Sequence, residues 1–173
     1  MTMTPASMTP ASMTPALQDL LLRFELITLQ DRYIAALDSD RLEDWPKLFV
    51  EDCFYEIIPK ENEDDGFPAP VIYCDNAAML RDRVISLRNA NIYEKPTYRH
   101  FVSGLQFEKL DDDNILMTSN YVVVNTSQAG ETSIFQAGRY IDRVIRTADG
   151  WRFKSKRVVY DTSRVQTALA IPI

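Results

Sequence analysis

The sequence contains very little histidine and cysteine. Among 173 residues there is one histidine, His100, and there are two cysteines, Cys53 and Cys74. A Rieske cluster needs two histidine and two cysteine ligands, and a mononuclear non-haem iron centre needs two histidines and a carboxylate. One histidine supplies neither set, so the sequence excludes both iron sites on this chain. Two cysteines also fit a reducing compartment better than a disulfide framework.

Long hydrophobic runs and excess positive charge are also missing. No stretch approaches the roughly 20 apolar residues of a membrane helix, and the N-terminus lacks the pattern of a secretory signal. We therefore expect no membrane partner and a cytoplasmic location. The net charge of −6 argues against binding of nucleic acid. The nearest basic patch has the spacing of a charged strand face: Arg152, Lys154, Lys156 and Arg157.

The first fifteen residues are of low complexity. The unit Met-Thr-Pro-Ala-Ser occurs at Met3–Ser7 and again at Met8–Ser12. Repeated proline and small polar residues bury too little apolar surface to fold alone. The sequence therefore predicts a disordered tail over 1–15 and a single domain over 16–173.

Three helices are predicted in the first half of the domain. From Ala16 a broad apolar stripe recurs at spacings of three and four, formed by Leu22, Leu26, Leu29, Tyr33 and Leu37 and widened by Leu20, Phe24, Ile27 and Ile34. A second helix is predicted to begin at Asp40, with Glu43 completing a capping box and with Leu42, Trp45, Leu48 and Phe49 inward. A third is predicted over Asp75–Arg88.

The rest of the pattern is typical of strands. They are predicted at Cys53–Ile58, Tyr98–Glu108, Asn114–Asn125, Thr132–Arg146 and Trp151–Tyr160, with an acidic, solvated loop at Glu61–Pro70. In the last strand Trp151 and Phe153 alternate with Arg152, Lys154 and Lys156, which predicts one buried and one wet face. Three helices followed by a meander indicate an α+β domain, in which the helices laid across a strongly curved, mainly antiparallel mixed sheet would make a cone with a pocket at its mouth.

A few residues could carry chemistry or contacts. His100 could act as an acid or base with Asp38, Tyr33 or Tyr55, or it could be a structural histidine at the start of a strand. Cys53 is expected to be a small buried residue, and Cys74 precedes a helix, where a thiol can be reactive. The apolar run Ala168–Ile173 is expected to be buried, either in the cone or in a subunit interface.

Scattered motifs carry a resemblance to a known family. They are Arg32-Tyr33, Asp38, Trp45–Phe49, Asp52–Tyr55, Leu80–Val84, Leu87-Arg88, Tyr98–His100, Gly138–Asp142, Gly150–Phe153 and Arg157–Asp161. With this order of elements, the chain resembles the NTF2-like cone fold, and within it the small (beta) subunit of bacterial Rieske-type aromatic-ring-hydroxylating dioxygenases.

The resemblance implies a supporting role. In such enzymes the large (alpha) subunit carries the Rieske 2Fe–2S cluster and the mononuclear Fe(II), a reductase supplies electrons from NAD(P)H, and the subunits form an alpha-3 beta-3 hexamer. No catalytic, cofactor-binding or metal residue is expected on this chain. Ala90–Glu94 and Ala168–Ile173 look most like small subunits that serve benzoate-type acids. The alternatives are a free-standing cone-fold isomerase or dehydratase and a small-ligand binding protein. If the chain is such a subunit, four arginines are expected to contact partner carboxylates, to pair within the chain with Asp82 or Glu94, or to face water: Arg81, Arg83, Arg88 and Arg99.

Overall fold

Helices and strands alternate along the first half of the chain, and the described residues of the second half form strands. The computed structural model describes residues 14–89, 97–162 and 171–173. Its elements are α1 (Pro15–Asp38), a 3-10 turn (Pro46–Leu48), β1 (Phe49–Pro59), α2 (Lys60–Asp64), β2 (Ile72–Cys74), α3 (Ala77–Asn89), β3 (Thr97–Asp111), β4 (Asn114–Thr126), β5 (Thr132–Thr147) and β6 (Gly150–Tyr160). The predicted α+β class is confirmed. Most of the predicted tail, residues 1–13, and all of Ala90–Glu94 lie outside the described residues.

Helix α1 begins at Pro15, just inside the predicted tail. Proline suits the first helical position, and the Thr14 side chain caps the helix by accepting a hydrogen bond from the backbone N–H of Leu17 at 3.4 Å. All five residues of the predicted stripe are buried: Leu22, Leu26, Leu29, Tyr33 and Leu37. The predicted widening of that face is wrong for Leu20, Phe24 and Ile27, which are exposed. At 100° per residue they turn away from the buried stripe.

The second helix, predicted from Asp40, does not form. Asp40 has a φ of +53°, and the N–H of Arg41 donates to the carbonyl of Ala36 at 2.8 Å, which closes the end of α1. The carboxylates of the expected capping box are engaged elsewhere, because Asp40 and Glu43 both pair with Arg88 on α3. The apolar residues assigned to this helix are nevertheless buried, around a 3-10 turn: Leu42, Trp45, Leu48 and Phe49.

Two short elements differ from the sequence prediction. Helix α2 occupies the start of the predicted acidic loop, and β2, which was not predicted, pairs antiparallel with β1. Asp64 and Asp65 are exposed as expected. Glu63 is not part of a free surface, because its carboxylate pairs with Arg157 Nη1 at 3.0 Å.

A six-stranded sheet in the order β2-β1-β6-β5-β4-β3 forms the body of the protein. Strands β1 and β6 are parallel and every other neighbouring pair is antiparallel, as the predicted mixed, mainly antiparallel sheet requires. Helix α1 contacts both β6 and β3, which lie three strands apart. In a flat sheet those strands would be about 14 Å apart, more than the width of a helix, so the sheet curves around α1. We call the enclosed space the cone.

Strand β6 changes the direction of its side chains part-way along. In the β5–β6 register Val144 pairs with Phe153, and its neighbour Arg143 pairs with Ser155. Lys154 lies between the two paired residues of β6 and has no counterpart on β5, so it is an extra residue in the ladder. Such a bulge shifts the inside–outside alternation by one position. Lys156, predicted on the wet face, is therefore fully buried.

Candidate functional site

The cone is closed by the end of the described chain. Tyr33 of α1 donates its hydroxyl to the backbone oxygen of Ile173 at 2.5 Å. The Tyr55 hydroxyl on β1 accepts from the backbone N–H of Ile173 at 3.0 Å and lies 3.2 Å from its oxygen. Ile173 is 2% exposed and belongs to the hydrophobic core, against which Ile171 packs. The apolar run Ala168–Ile173 is predicted to be buried in the cone or in a subunit interface. For residues 171–173 burial is confirmed, and they lie in the cone of the same chain, whereas Ala168–Ala170 lie outside the described residues.

The two phenols that hold Ile173 act as neutral groups. Burial raises the pKa of Tyr33 well above its ordinary value of 10.0, with further increases from the neighbouring Tyr55 and Tyr140. Burial likewise raises the pKa of Tyr55. Both hydroxyls therefore stay protonated at neutral pH, where they donate hydrogen bonds and do not serve as bases.

His100 and Asp38 form a close pair at the junction of α1 and β3. Asp38 is the last residue of α1, and its Oδ1 lies 2.6 Å from Nδ1 of His100. Its other oxygen accepts from the backbone N–H of His100 at 3.0 Å. A carboxylate on Nδ1 fixes the orientation of an imidazole and leaves Nε2 as the working nitrogen. Here Nε2 is buried and has no hydrogen-bond partner among the described residues.

Of the three partners considered for His100, the structure brings only Asp38 to it. Tyr33 and Tyr55 are bonded to Ile173 instead. The His100 side chain is 1% exposed, so a substrate has no direct route to it in this arrangement. The His100–Asp38 pair can serve as a structural link between the end of α1 and β3. It also has the geometry of an acid–base group in which a carboxylate orients the imidazole.

A charged pair that the sequence did not reveal lies deeper in the cone. Lys156 Nζ donates to Asp142 Oδ2 at 2.9 Å and to Gln30 Oε1 at 3.3 Å, and it lies 3.7 Å from the ring centre of Tyr140. Lysine and aspartate are both fully buried. Burial lowers the pKa of Lys156 and raises that of Asp142, while their mutual attraction opposes both shifts. The alternation of β5 places Asp142 on the same face as Tyr140, but no sequence pattern marks the bulge that turns Lys156 inward.

The arginines proposed for subunit contacts are largely engaged within the chain. Arg81 makes two hydrogen bonds to Glu51, both at 3.1 Å, and Arg88 binds Asp40 and Glu43. The prediction that Asp82 is their intrachain partner is thus wrong for both Arg81 and Arg88. The other predicted partner, Glu94, lies outside the described residues. Arg99 donates to the backbone oxygen of Asp38 at 3.0 Å, and Arg83 also has a partner.

Both cysteines are free, buried residues. Burial raises the pKa of Cys53 to about 11 and raises that of Cys74 above its ordinary value. The raised values are the opposite of what a reactive thiol requires, so the alternative of a reactive Cys74 finds no support. Within the described ranges, no three histidine, cysteine, aspartate or glutamate residues cluster as a metal site.

Three cavities lie against α1 and open to the surface. None of these three is lined by His100, Tyr33 or Tyr55, and one of them is lined by Gln30, which bonds Lys156 in the cone. No described helix is long and apolar enough to cross a membrane.

The comparisons with known proteins agree with this architecture. The sequence model of the ring-hydroxylating beta subunit family matches residues 32–167. The chain belongs to this family. It is 58% identical to the anthranilate 1,2-dioxygenase small subunit of Burkholderia cepacia over 156 residues, which cover 90% of this chain and 97% of that protein. It is 34% identical to subunit beta 2 of the terminal oxygenase component of terephthalate 1,2-dioxygenase from Comamonas sp., covering 82% and 92%.

Solved structures show the same fold for this beta-subunit family member. A protein assigned as the beta subunit of an aromatic-ring-hydroxylating dioxygenase from Novosphingobium aromaticivorans superposes with a TM-score of 0.83 at 40% identity, covering 90% of this chain and 99% of that one. A protein assigned as a scytalone dehydratase from the same organism superposes with a TM-score of 0.69 at 16% identity, covering 88% and 95%. The second likeness shows the fold alone, and together they confirm the predicted NTF2-like cone.

Proposed function

We propose that this chain is the non-catalytic beta subunit of a Rieske-type aromatic-ring-hydroxylating dioxygenase. The observation that carries the proposal is the filled cone, in which the buried Ile173 is bonded to the hydroxyls of Tyr33 and Tyr55, so that neither hydroxyl is open to a substrate. The alpha subunits would hold the 2Fe–2S cluster and Fe(II), and a reductase would deliver electrons from NAD(P)H. The beta chain would stabilise them in an alpha-3 beta-3 hexamer in the cytoplasm.

A benzoate-type acid is the proposed substrate of the assembled enzyme. The two relatives named above act, by their names, on anthranilate and terephthalate, which are both aromatic carboxylic acids. The pocket that selects the ring would belong to the alpha subunit. Turnover of benzoate, anthranilate and toluene by the co-expressed complex tests this class, and preference for uncharged toluene would contradict it.

Co-expression with the large subunit tests the supporting role. We expect the two chains to co-purify in equal amounts, with the iron and the visible absorption belonging to the large subunit. The beta chain expressed alone should be colourless, because one histidine cannot complete either iron site. Stoichiometric iron in the isolated beta chain would refute the proposal.

The His100–Asp38 pair favours one second candidate, a cone-fold enzyme that uses His100 as its acid or base. His100→Ala separates the two. For a structural histidine the loss of hydrogen bonds costs roughly 1–3 kcal/mol of stability, and turnover per intact hexamer changes little. A loss of turnover above about a hundredfold in fully assembled complex would instead assign catalysis to this residue.

A further inference from the structure

A groove between α1 and β3 has the features of a small-molecule site and is connected to the charged pair of the cone through Gln30. It has a volume of about 380 Å³, within the usual range for small-ligand clefts. The apolar side chains of Ile27, Val102 and Leu105 line it, together with Arg23 and Gln30. An apolar wall with a few convergent polar groups is the usual composition of such clefts.

A bulge in β3 shapes one wall of the groove. The β3–β4 register slips between Ser103 and Gln106, and Gly104 there has a φ of +66°. A side chain at Gly104 would be strained by this backbone conformation and would meet the Asn120 amide at 3.0 Å. The carbonyl of Leu105 accepts from Arg23 Nη1 at 2.8 Å, which fixes the guanidinium at the wall.

Two hydrogen-bond donors of this groove are unused. Among the described residues, no carboxylate forms an ion pair with Arg23, whose guanidinium carbon lies 5.4 Å from the ring centre of Phe107 and whose one hydrogen bond is to the carbonyl of Leu105. Gln30 is 2% exposed, and its Nε2 is buried without a partner in the described part of the chain. Its Oε1 accepts from Lys156, and since an ammonium only donates, the amide orientation is fixed with Nε2 as the free donor.

We propose that this groove binds a small organic acid, with its carboxylate on Arg23 and Gln30 and its apolar body against Ile27, Val102 and Leu105. A carboxylate matches the planar fork of an arginine and satisfies a buried N–H that is costly to leave unpaired. Asp31 also lines the groove, but its exposed carboxylate is screened by water, whereas Arg23 is half-buried. The groove would have this property whether or not the chain serves a dioxygenase.

Benzoate titrated into the ¹⁵N-labelled full chain tests the site, with the Gln30 side-chain amide as the direct NMR reporter. We expect saturable shifts there and at the backbone amides of Ser103 and Gln106, with a dissociation constant on the order of millimolar for so small a ligand. Benzamide, the neutral analogue, should bind at least about tenfold more weakly because it lacks the charge that Arg23 recognises.

Three variants separate ligand binding from folding. Arg23→Met should weaken benzoate binding at least about tenfold, and Ile27→Trp should abolish it by filling the groove from an exposed position. Arg41→Met is the matched control, because Arg41 also donates to a backbone carbonyl, that of Ala35, but lies outside the groove. Its affinity for benzoate should be unchanged.

Several results would overturn the proposal. They are the absence of saturable binding, equal binding of benzamide, and full affinity in Ile27→Trp. If benzoate does not bind but Arg23→Met reduces co-purification with the large subunit, the groove receives an acidic side chain of that partner and no free acid.

Discussion

Replacing Lys156 by methionine should reveal the cost of an unpaired charge inside the cone. The ammonium lies 2.9 Å from Asp142 and is fully buried. Methionine fills a similar volume but supplies no cation. The Asp142 carboxylate would then be buried with no partner for Oδ2, and its Oδ1 already lacks one among the described residues.

The magnitude follows from the proton that Asp142 must take up. In the unfolded chain this carboxyl titrates near its ordinary pKa of 3.8, whereas burial without Lys156 raises its folded pKa further than burial does now. Keeping it protonated at pH 7 costs about 1.4 kcal/mol for each of roughly 3.2 pH units, or about 4 kcal/mol, but the wild-type chain, in which the pKa of Asp142 is about 6, already bears about 3 kcal/mol of this. We therefore expect a loss of about 1–2 kcal/mol relative to the wild-type chain, less than the roughly 3–5 kcal/mol that is usual when one partner of a buried pair is removed, because Asp142 can take up a proton.

Urea denaturation across pH measures this loss. Because the folded pKa of Asp142 is about 6 in the wild-type chain and higher in the variant, titration of Asp142 should separate the two chains little below pH 6, and the deficit of the variant should grow between about pH 6 and pH 7. The control is Lys154→Met, which removes a partly exposed lysine two residues away and should cost less than about 1 kcal/mol. Adding Asp142→Asn to Lys156→Met should recover much of the stability. A loss below about 1 kcal/mol, or one that does not vary with pH, would refute the reasoning.

Three further outcomes are expected. Ile173→Ala should cost about 2–4 kcal/mol in thermal or urea unfolding, whereas Ile85→Ala, at an exposed position, should cost no more than about 0.5 kcal/mol; equal effects would show that Ile173 does not cap the cone. Arg88 lowers the pKa of Glu43 to about 2, so the stability from this exposed pair is present above pH 4.5 and lost as pH falls toward 2; in Arg88→Met that acid-dependent part, less than about 1 kcal/mol, should be absent from urea titrations between pH 5 and 2. Deleting residues 1–13 should leave the melting temperature and hexamer yield nearly unchanged, and a large drop in either would show that the repeat packs against something.

The sequence predicts the large apolar elements well because their burial is periodic. The stripe on α1 and the alternation along β3, β4 and β5 depend only on which positions face the core, and the structure buries those positions. The failures arise where one interaction outweighs the local pattern. Asp40 and Glu43 have the spacing of a capping box, but both carboxylates bind Arg88, 45 residues or more along the chain.

The candidate site was harder to predict because its pairs are long-range. His100 and Asp38 are 62 residues apart, and no local pattern relates them. Lys156 appeared solvent-facing because the alternation from Trp151 was extended through Lys154, where the ladder carries an extra residue. Bulges leave little trace in a single sequence, since many residues can occupy them. Composition alone, in contrast, predicts that this chain cannot complete either iron site, because it has one histidine.

The parallel pairing of β1 with β6 has a consequence for how the chain folds. Arg157 on β6 meets Glu56 on β1 although they are 101 residues apart. Strand β1 is followed by its small neighbour β2 early in the chain, but its main partner is the last strand of the sheet. Closing so long a loop before its contacts form is slow, and an unpaired strand is prone to wrong pairings in the interval. During synthesis on the ribosome, β1 therefore cannot form its pairing with β6 until β6 has been translated. The half-built sheet exposes the edge of β1 during that time, so synthesis together with a partner or a chaperone should raise the yield of folded protein.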